Sequence, residues 1–226
     1  MGIIDKKGEI VLEPKFDDID TNDYPFKFKQ DTRYGFLDEK AKILFDIKLK
    51  AKEWDIYFSY NDVKVFMDKY YLVIEHGRYR IFNMKDNRLA SSLSFDFVQE
   101  YKKFIIASIN DKIGIMDKDL NWLILPKFEE FKEFDKNHYK IILDGKIGLL
   151  DNNLHTILEP KYDYIGKEFI NGFVKIGLNN KYGFISESGE IIEPQFDYVW
   201  NFSNDIAEVL VDKETKFINT KGEFIE

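Results

Sequence analysis

The sequence predicts an all-β protein made of tandem repeats of about 34 residues, each a set of short antiparallel strands. Three observations predict it. A short segment of glycine, two apolar residues and an acid recurs along the chain. Turn-forming residues punctuate the sequence at the 8–12-residue spacing of all-β proteins. No stretch carries an apolar stripe of helical period and useful length.

The recurring segment sets the register. It reads Gly2-Ile3-Ile4-Asp5, Gly35-Phe36-Leu37-Asp38, Gly114-Ile115-Met116-Asp117, Gly148-Leu149-Leu150-Asp151 and Gly183-Phe184-Ile185-Ser186. Degenerate copies are Arg80-Ile81-Phe82-Asn83 and Lys216-Phe217-Ile218-Asn219. The seven anchors lie 33, 45, 34, 34, 35 and 33 residues apart. Chance does not produce five near-equal intervals in six.

Each anchor sits in a longer phrase. Upstream is an apolar run, as at 140–143, 172–176 or 207–211. The turn between run and anchor carries pairs such as His76-Gly77, Asn110-Asp111, Asp144-Gly145 and Asn179-Asn180. Such pairs tolerate the positive φ that a type I′ hairpin requires at both central positions. A second turn follows the anchor, as at Lys6-Lys7-Gly8, Asn152-Asn153 and Glu187-Ser188-Gly189. Another apolar run then ends in Pro14, Pro126, Pro160 or Pro194. Proline cannot donate to a ladder, so it marks a strand's end or an edge. An aromatic and an acid come next: Phe16-Asp17, Phe128-Glu129, Tyr162-Asp163 and Phe196-Asp197. The expected unit is about three short strands and two tight turns. Residues 127–136 read equally as one helical turn or a loop.

A lone unit of this size buries too little apolar surface to offset its ordering entropy. Stacked copies cover one another, so stability comes from neighbouring interfaces. The aromatic after Pro is the expected peg between units. The repeated glycines, Gly35, Gly114, Gly148 and Gly183, are expected where φ is positive or where a side chain would strike the neighbouring unit.

The phrase resembles the bacterial WG (or KWG) β-repeat, whose consensus runs roughly K-W-G-F-I-D-x-x-G-x-x-V-I-P-x-x-Y/F-D-x-V. Residues 181–199 match almost throughout, and 202–209 continue the match; the likeness is weak over 40–110. The family's tryptophan is replaced by Tyr34, Tyr79, Ile113, Ile147 and Tyr182. The resemblance implies an all-β repeat array, no established chemistry, and no catalytic residues to carry over. The whole chain is expected to be a single repeat domain, 1–226, of about six to seven units, with an irregular insertion near 46–78. A propeller-like ring is the expected assembly, with an open β-superhelix as the alternative.

Composition limits the function. The 226 residues are 44% hydrophobic and 16% aromatic, which suffices for a packed core and argues against disorder. A net charge of −8, with Lys and Arg scattered, makes nucleic acid an improbable direct ligand. There is no Cys, hence neither disulfide nor thiolate chemistry. No signal peptide and no membrane-spanning run is legible, so a cytoplasmic location is expected.

No catalytic constellation emerges, and neither cofactor nor metal is implied. His76, His138 and His155 are scattered. Asp117, Asp119 and Asn121 begin like a calcium loop, but Trp122 and Phe128 stand where Gly and Glu are needed. Gly172 and Gly177 have phosphate-loop spacing without the Lys and Ser/Thr that must follow. The acids Asp17, Asp163 and Asp197 recur at one repeat position and read as turn caps. The insertion concentrates Trp54, Tyr57, Phe58, Tyr60, Phe66, Tyr70 and Tyr71. Insertions in repeat proteins map to one face, often the binding face, so Trp54, Tyr57 and Tyr60 are the candidate binding residues; gap-filling between irregular repeats is the competing reading. The expected function is non-enzymatic: a scaffold binding a protein partner, in one version an inhibitor or immunity-type protein whose acidity suits a basic effector. A small-ligand or carbohydrate binder with a central cavity, and a structural module of a larger assembly, are the alternatives.

Overall fold

The computed structural model describes residues 1–226 except 23–25, 32, 39, 49–62, 76, 87 and 226. Every regular element among the described residues is a β-strand, and no described helix is long and apolar enough to cross a membrane. The chain divides into two compact units, Met1–Asn110 with Gly114–Leu125, and Asp111–Ile113 with Pro126–Glu226.

The strands form small antiparallel sheets in sequence order. Five sheets have four strands, over residues 18–48, 97–128, 130–162, 164–196 and 198–225. Residues 63–83 form three strands, and residues 3–12 form two. The sheet of 130–162 is typical, with strands Glu130–Glu133, His138–Leu143, Lys146–Asp151 and Thr156–Tyr162. The repeat therefore has four strands, not three. The extra one is the short segment after the aromatic and acid, such as Tyr164–Ile165 or Tyr198–Val199, which opens the next sheet. Two residues carry no periodicity that a sequence reading can detect; pairing with a longer neighbour makes them a strand. Residues 127–136 likewise resolve into strand: they end Trp122–Phe128 and supply Glu130–Glu133.

The hairpin turns take the predicted conformation. Asn179 and Asn180 have φ of 51° and 60°, Asp144 and Gly145 51° and 71°, and Asp212 and Lys213 52° and 68°. Those values are the type I′ requirement. In the second turn the anchor acid binds backbone: Asp151 accepts from the N–H groups of Asn153 and His155 at 2.7 and 2.8 Å. Asp117 accepts from Asp119 and Asn121, both at 2.9 Å, and is thereby committed as a turn cap. The left-handed position of this turn holds Gly8, Gly189 and Gly222, with φ of 85°, 89° and 81°. Leu120 and Leu154 occupy it at 67° and 68° in other repeats.

The anchor glycines answer to a different constraint from the expected ones. Gly148 and Gly183 are absent from the positive-φ positions. A Cβ on Gly148 would lie 2.7 Å from the Leu158 carbonyl oxygen and 2.9 Å from the Pro160 nitrogen. On Gly183 it would lie 2.1 Å from the Ile192 carbonyl oxygen. The obstacle is the last strand of the same sheet, not the neighbouring unit. That strand bulges there: Ile147 pairs with Tyr162 and Leu149 with Leu158, two residues advancing on one side against four on the other. Tyr182 with Phe196 and Phe184 with Ile192 repeat the arrangement. Pro160 and Pro194 sit inside the bulge, so their strands run through the proline rather than ending at it. These strands lie last in their sheets, where a missing donor is tolerated.

Apolar side chains from successive sheets meet between them. In the second unit, Leu149, Leu158 and Tyr162 pack against Val174, Ile176 and Ile185 of the next sheet. Phe184, Ile192 and Phe196 pack against Val199, Ala207, Val209 and Ile218. Tyr162 and Phe196 are buried, as expected of the aromatic after Pro. A second peg was not legible in the sequence. Phe134, Phe169 and Phe202 each stand four residues before the second strand of their sheets. Phe202 packs on Phe173 and Phe184 of the preceding sheet, with ring centroids at 4.3 and 4.7 Å. Phe169 packs on Phe134 and His138 at 5.8 and 5.1 Å.

In the first unit, Phe66, Tyr70, Leu72 and Ile81 form one core with Phe95, Val98, Ile105, Ala107 and Met116. Phe36, Tyr71, Val73 and Phe82 form another, and Leu12, Phe16, Phe28 and Leu37 a third. Phe66, Tyr70 and Tyr71, three of the aromatics in the irregular stretch, are thus core residues.

Candidate binding surface

Trp54, Tyr57 and Tyr60 lie outside the described residues. Among the described residues the exposed aromatics are Phe97, Tyr164, Tyr198, Trp200, Phe217 and Phe224, and three of them belong to one row on the last two sheets of the second unit. Tyr164 opens one sheet and Tyr198 the next, and each is 45% exposed; Trp200, just beyond Tyr198, is 40% exposed. Tyr182, in the third strand of the first of these sheets, links them. Ring centroids run 6.0 Å from Tyr164 to Tyr182, 6.0 Å on to Tyr198, and 4.8 Å on to Trp200. Consecutive rings meet edge to face, at 80°, 63° and 74°.

The backbone explains why this row stays open. Tyr164 pairs with Gly177, and Gly177 with Tyr182, so a glycine lies between the two rings in one cross-strand row. A Cβ there would meet the Tyr164 Cβ at 3.1 Å and the Tyr182 ring at 3.3 Å. Two residues before Gly177, Lys175 places its ammonium 5.5 Å from the Tyr198 ring centroid. Partial burial lowers its pKa below the ordinary lysine value. No carboxylate among the described residues pairs with it.

The neighbouring repeat gives an internal comparison. Lys140 occupies the position of Lys175, and Glu130 the position of Tyr164. There, Glu130 takes Lys132 at 2.7 Å and Lys140 at 3.4 Å. Replacing that glutamate by tyrosine removes the lysine's own counter-ion and puts a ring in its place.

The recurring acids after the aromatic are structural. Asp163 pairs with Lys146 of its own repeat and accepts from the N–H of Asn179 in the next hairpin turn at 2.9 Å. Asp197 does the same with Lys181 and the N–H of Asp212, and Glu129 with Lys112 and the N–H of Gly145. The lysine hydrogen bond, then the turn N–H, hold all three carboxyl groups below their ordinary pKa. Asp163 and Asp197 cap turns, as read from the sequence, and Glu129 does the same; in each case the turn belongs to the following sheet.

Two of the three histidines are described. His155 is exposed beside Asp151. His138 is buried, its Nδ1 2.9 Å from Asp135 Oδ2, against the Phe169 ring. Partial burial raises the Asp135 pKa, but hydrogen bonds from the His138 ring and from the N–H groups of Asn137 and His138 outweigh it, so the net shift is downward. Among the described residues no three His, Asp or Glu side chains converge on one point.

Comparison with known proteins follows the geometry. Among solved structures, a eukaryotic initiation factor is similar at 11% identity with a TM-score of 0.40, over all of this chain and 70% of that one. The Neurospora crassa Pan2 WD40 domain is similar at 9% identity and 0.30, over 89% and 74%. Kluyveromyces lactis Hsv2 is similar at 12% identity and 0.29, over 73% and 61%. No curated protein sequence matches. The model of the WG containing repeat matches residues 1–26, 113–146, 147–182 and 182–214, which together make up more than half of the chain. The chain belongs to the WG-repeat family.

Proposed function

We propose that the protein is a non-enzymatic scaffold that docks another protein on side chains displayed by its repeat sheets. The observation that carries this reading is the row of Tyr164, Tyr182, Tyr198 and Trp200, whose outer rings stay exposed while most of the other described rings are buried. Exposed tyrosine and tryptophan in a contiguous set are the usual anchors of protein interfaces. Rigid sheets present them at little entropic cost on binding. In its more specific form the scaffold is an inhibitor or immunity-type protein, whose net charge of −8 complements a basic effector around the anchors. Capture from the native host with tagged full-length chain, at physiological salt, tests the reading. A stoichiometric protein partner supports it. Recovery of the chain alone overturns it, the more so if sugars, nucleotides or metals raise the melting temperature instead.

A further inference from the structure

We infer that the aromatic row with Lys175 is the docking site, and that it takes an extended apolar segment of the partner that presents one carboxylate to the Lys175 ammonium. This rests on the scaffold reading and adds where the partner binds and with what chemistry.

Three observations carry it. First, Lys175 is a partly desolvated cation whose only partner among the described residues is the face of Tyr198. A cation–π contact is weaker than a close carboxylate pair in the same place, so an incoming Asp or Glu gains there. Second, the preceding repeat shows a carboxylate serving the same lysine position. There Glu130 lies 3.4 Å from Lys140; here Tyr164 stands in place of the glutamate, which leaves the lysine open to an acid from a partner. Third, the rings are packed edge to face in one narrow row, with centroids 4.8–6.0 Å apart, rather than as a flat platform. Consecutive planes cross at 63–80°, so Tyr182 stands edge to face between Tyr164 and Tyr198. A narrow row of exposed rings suits aliphatic or proline side chains laid along it, as on the aromatic-lined surfaces that take extended peptides. The overall negative charge opposes an acidic segment at long range but is screened over about 8 Å at physiological salt, so the short-range lysine contact decides.

A library of random short peptides displayed on phage, panned on the full chain, tests this. Peptides are counter-selected on a Tyr198→Ala/Trp200→Ala variant whose circular dichroism and melt match the parent. Surviving peptides are expected to carry Asp or Glu beside proline, leucine or an aromatic. Their affinity is expected to fall about tenfold on Lys175→Met, the loss of a charge-assisted hydrogen bond, and to persist on Lys175→Arg. No surviving peptide, survivors without an acid, or survivors indifferent to Lys175→Met overturn the inference. Cellohexaose or chitohexaose that saturably changes tryptophan fluorescence in the parent but not in the double variant overturns it in favour of carbohydrate. If a captured host partner binds parent and double variant equally, the site is wrong and the scaffold reading stands; if no partner is captured at all, the scaffold reading itself falls.

Discussion

Replacing Gly183 by alanine tests the bulge account most directly. The added Cβ would fall 2.1 Å from the Ile192 carbonyl oxygen and 2.8 Å from the Glu193 carbonyl carbon. Ordinary contact at such atoms begins above 3 Å, so the last strand must retreat by about 1 Å against the strand that holds Phe184 and Ile185. Both are buried, with cores on either side, so the sheet has no free direction in which to relax. Overpacking of a fixed site costs about 1–3 kcal/mol, and one disrupted ladder hydrogen bond adds about 1 kcal/mol. The expected loss is about 2–4 kcal/mol, or about 5–15 °C in melting temperature for a chain of this size. Urea titration followed by circular dichroism measures it. Gly177→Ala is the internal control: its Cβ meets only side-chain atoms, at 3.1–3.4 Å, and the expected loss is about 1 kcal/mol or less. A Gly183→Ala protein within 1 kcal/mol of the parent would show that the clash does not explain the anchor glycine.

Other outcomes follow from the same packing. Phe202→Ala and Phe196→Ala each remove a ring held between sheets and are expected to cost about 3–5 kcal/mol in chemical denaturation; a loss below 1 kcal/mol would mean that the ring is not core. Gly189→Ala, at φ 89°, forces a Cβ into a left-handed turn and is expected to cost about 1–2 kcal/mol by thermal melt. The carboxyl groups of Glu129, Asp163 and Asp197 have folded pKa values depressed below their ordinary ones. Each therefore stabilises the fold above its unfolded pKa, and that contribution is lost as pH falls through the folded one. Melting temperature is expected to drop as pH goes through and below 3.8, the usual aspartate value. The combined Glu129→Gln, Asp163→Asn, Asp197→Asn protein is expected to show a shallower acid slope; an unchanged slope would assign the acid sensitivity to other groups.

What the sequence determined by itself is local or periodic. Asn179-Asn180 and Asp144-Gly145 announce their turns because few residues tolerate positive φ. The even spacing of the anchors announces the repeat, because no unit can bury its faces alone. The aromatic after each proline announces a core position by size and recurrence. Tertiary structure decided the rest. The first strand of each of the last two sheets, two residues long, is too short to show a period and exists only through its pairing with a longer neighbour. The glycine constraint is invisible because Gly183 and Ile192 approach one another only across a bulge. Phe202 becomes a core residue only because the preceding sheet supplies Phe173 and Phe184 beside it. The same holds for the proposed binding surface. Sequence reasoning favoured Trp54, Tyr57 and Tyr60 because aromatic density along the chain is visible, whereas Tyr164, Tyr182 and Tyr198 lie scattered among ordinary repeat positions. They become a row because antiparallel register sets Tyr164, Gly177 and Tyr182 side by side and the next sheet delivers Tyr198. Distance along the chain carries no record of that meeting; hydrogen-bond register and the stacking of one sheet on the next create it.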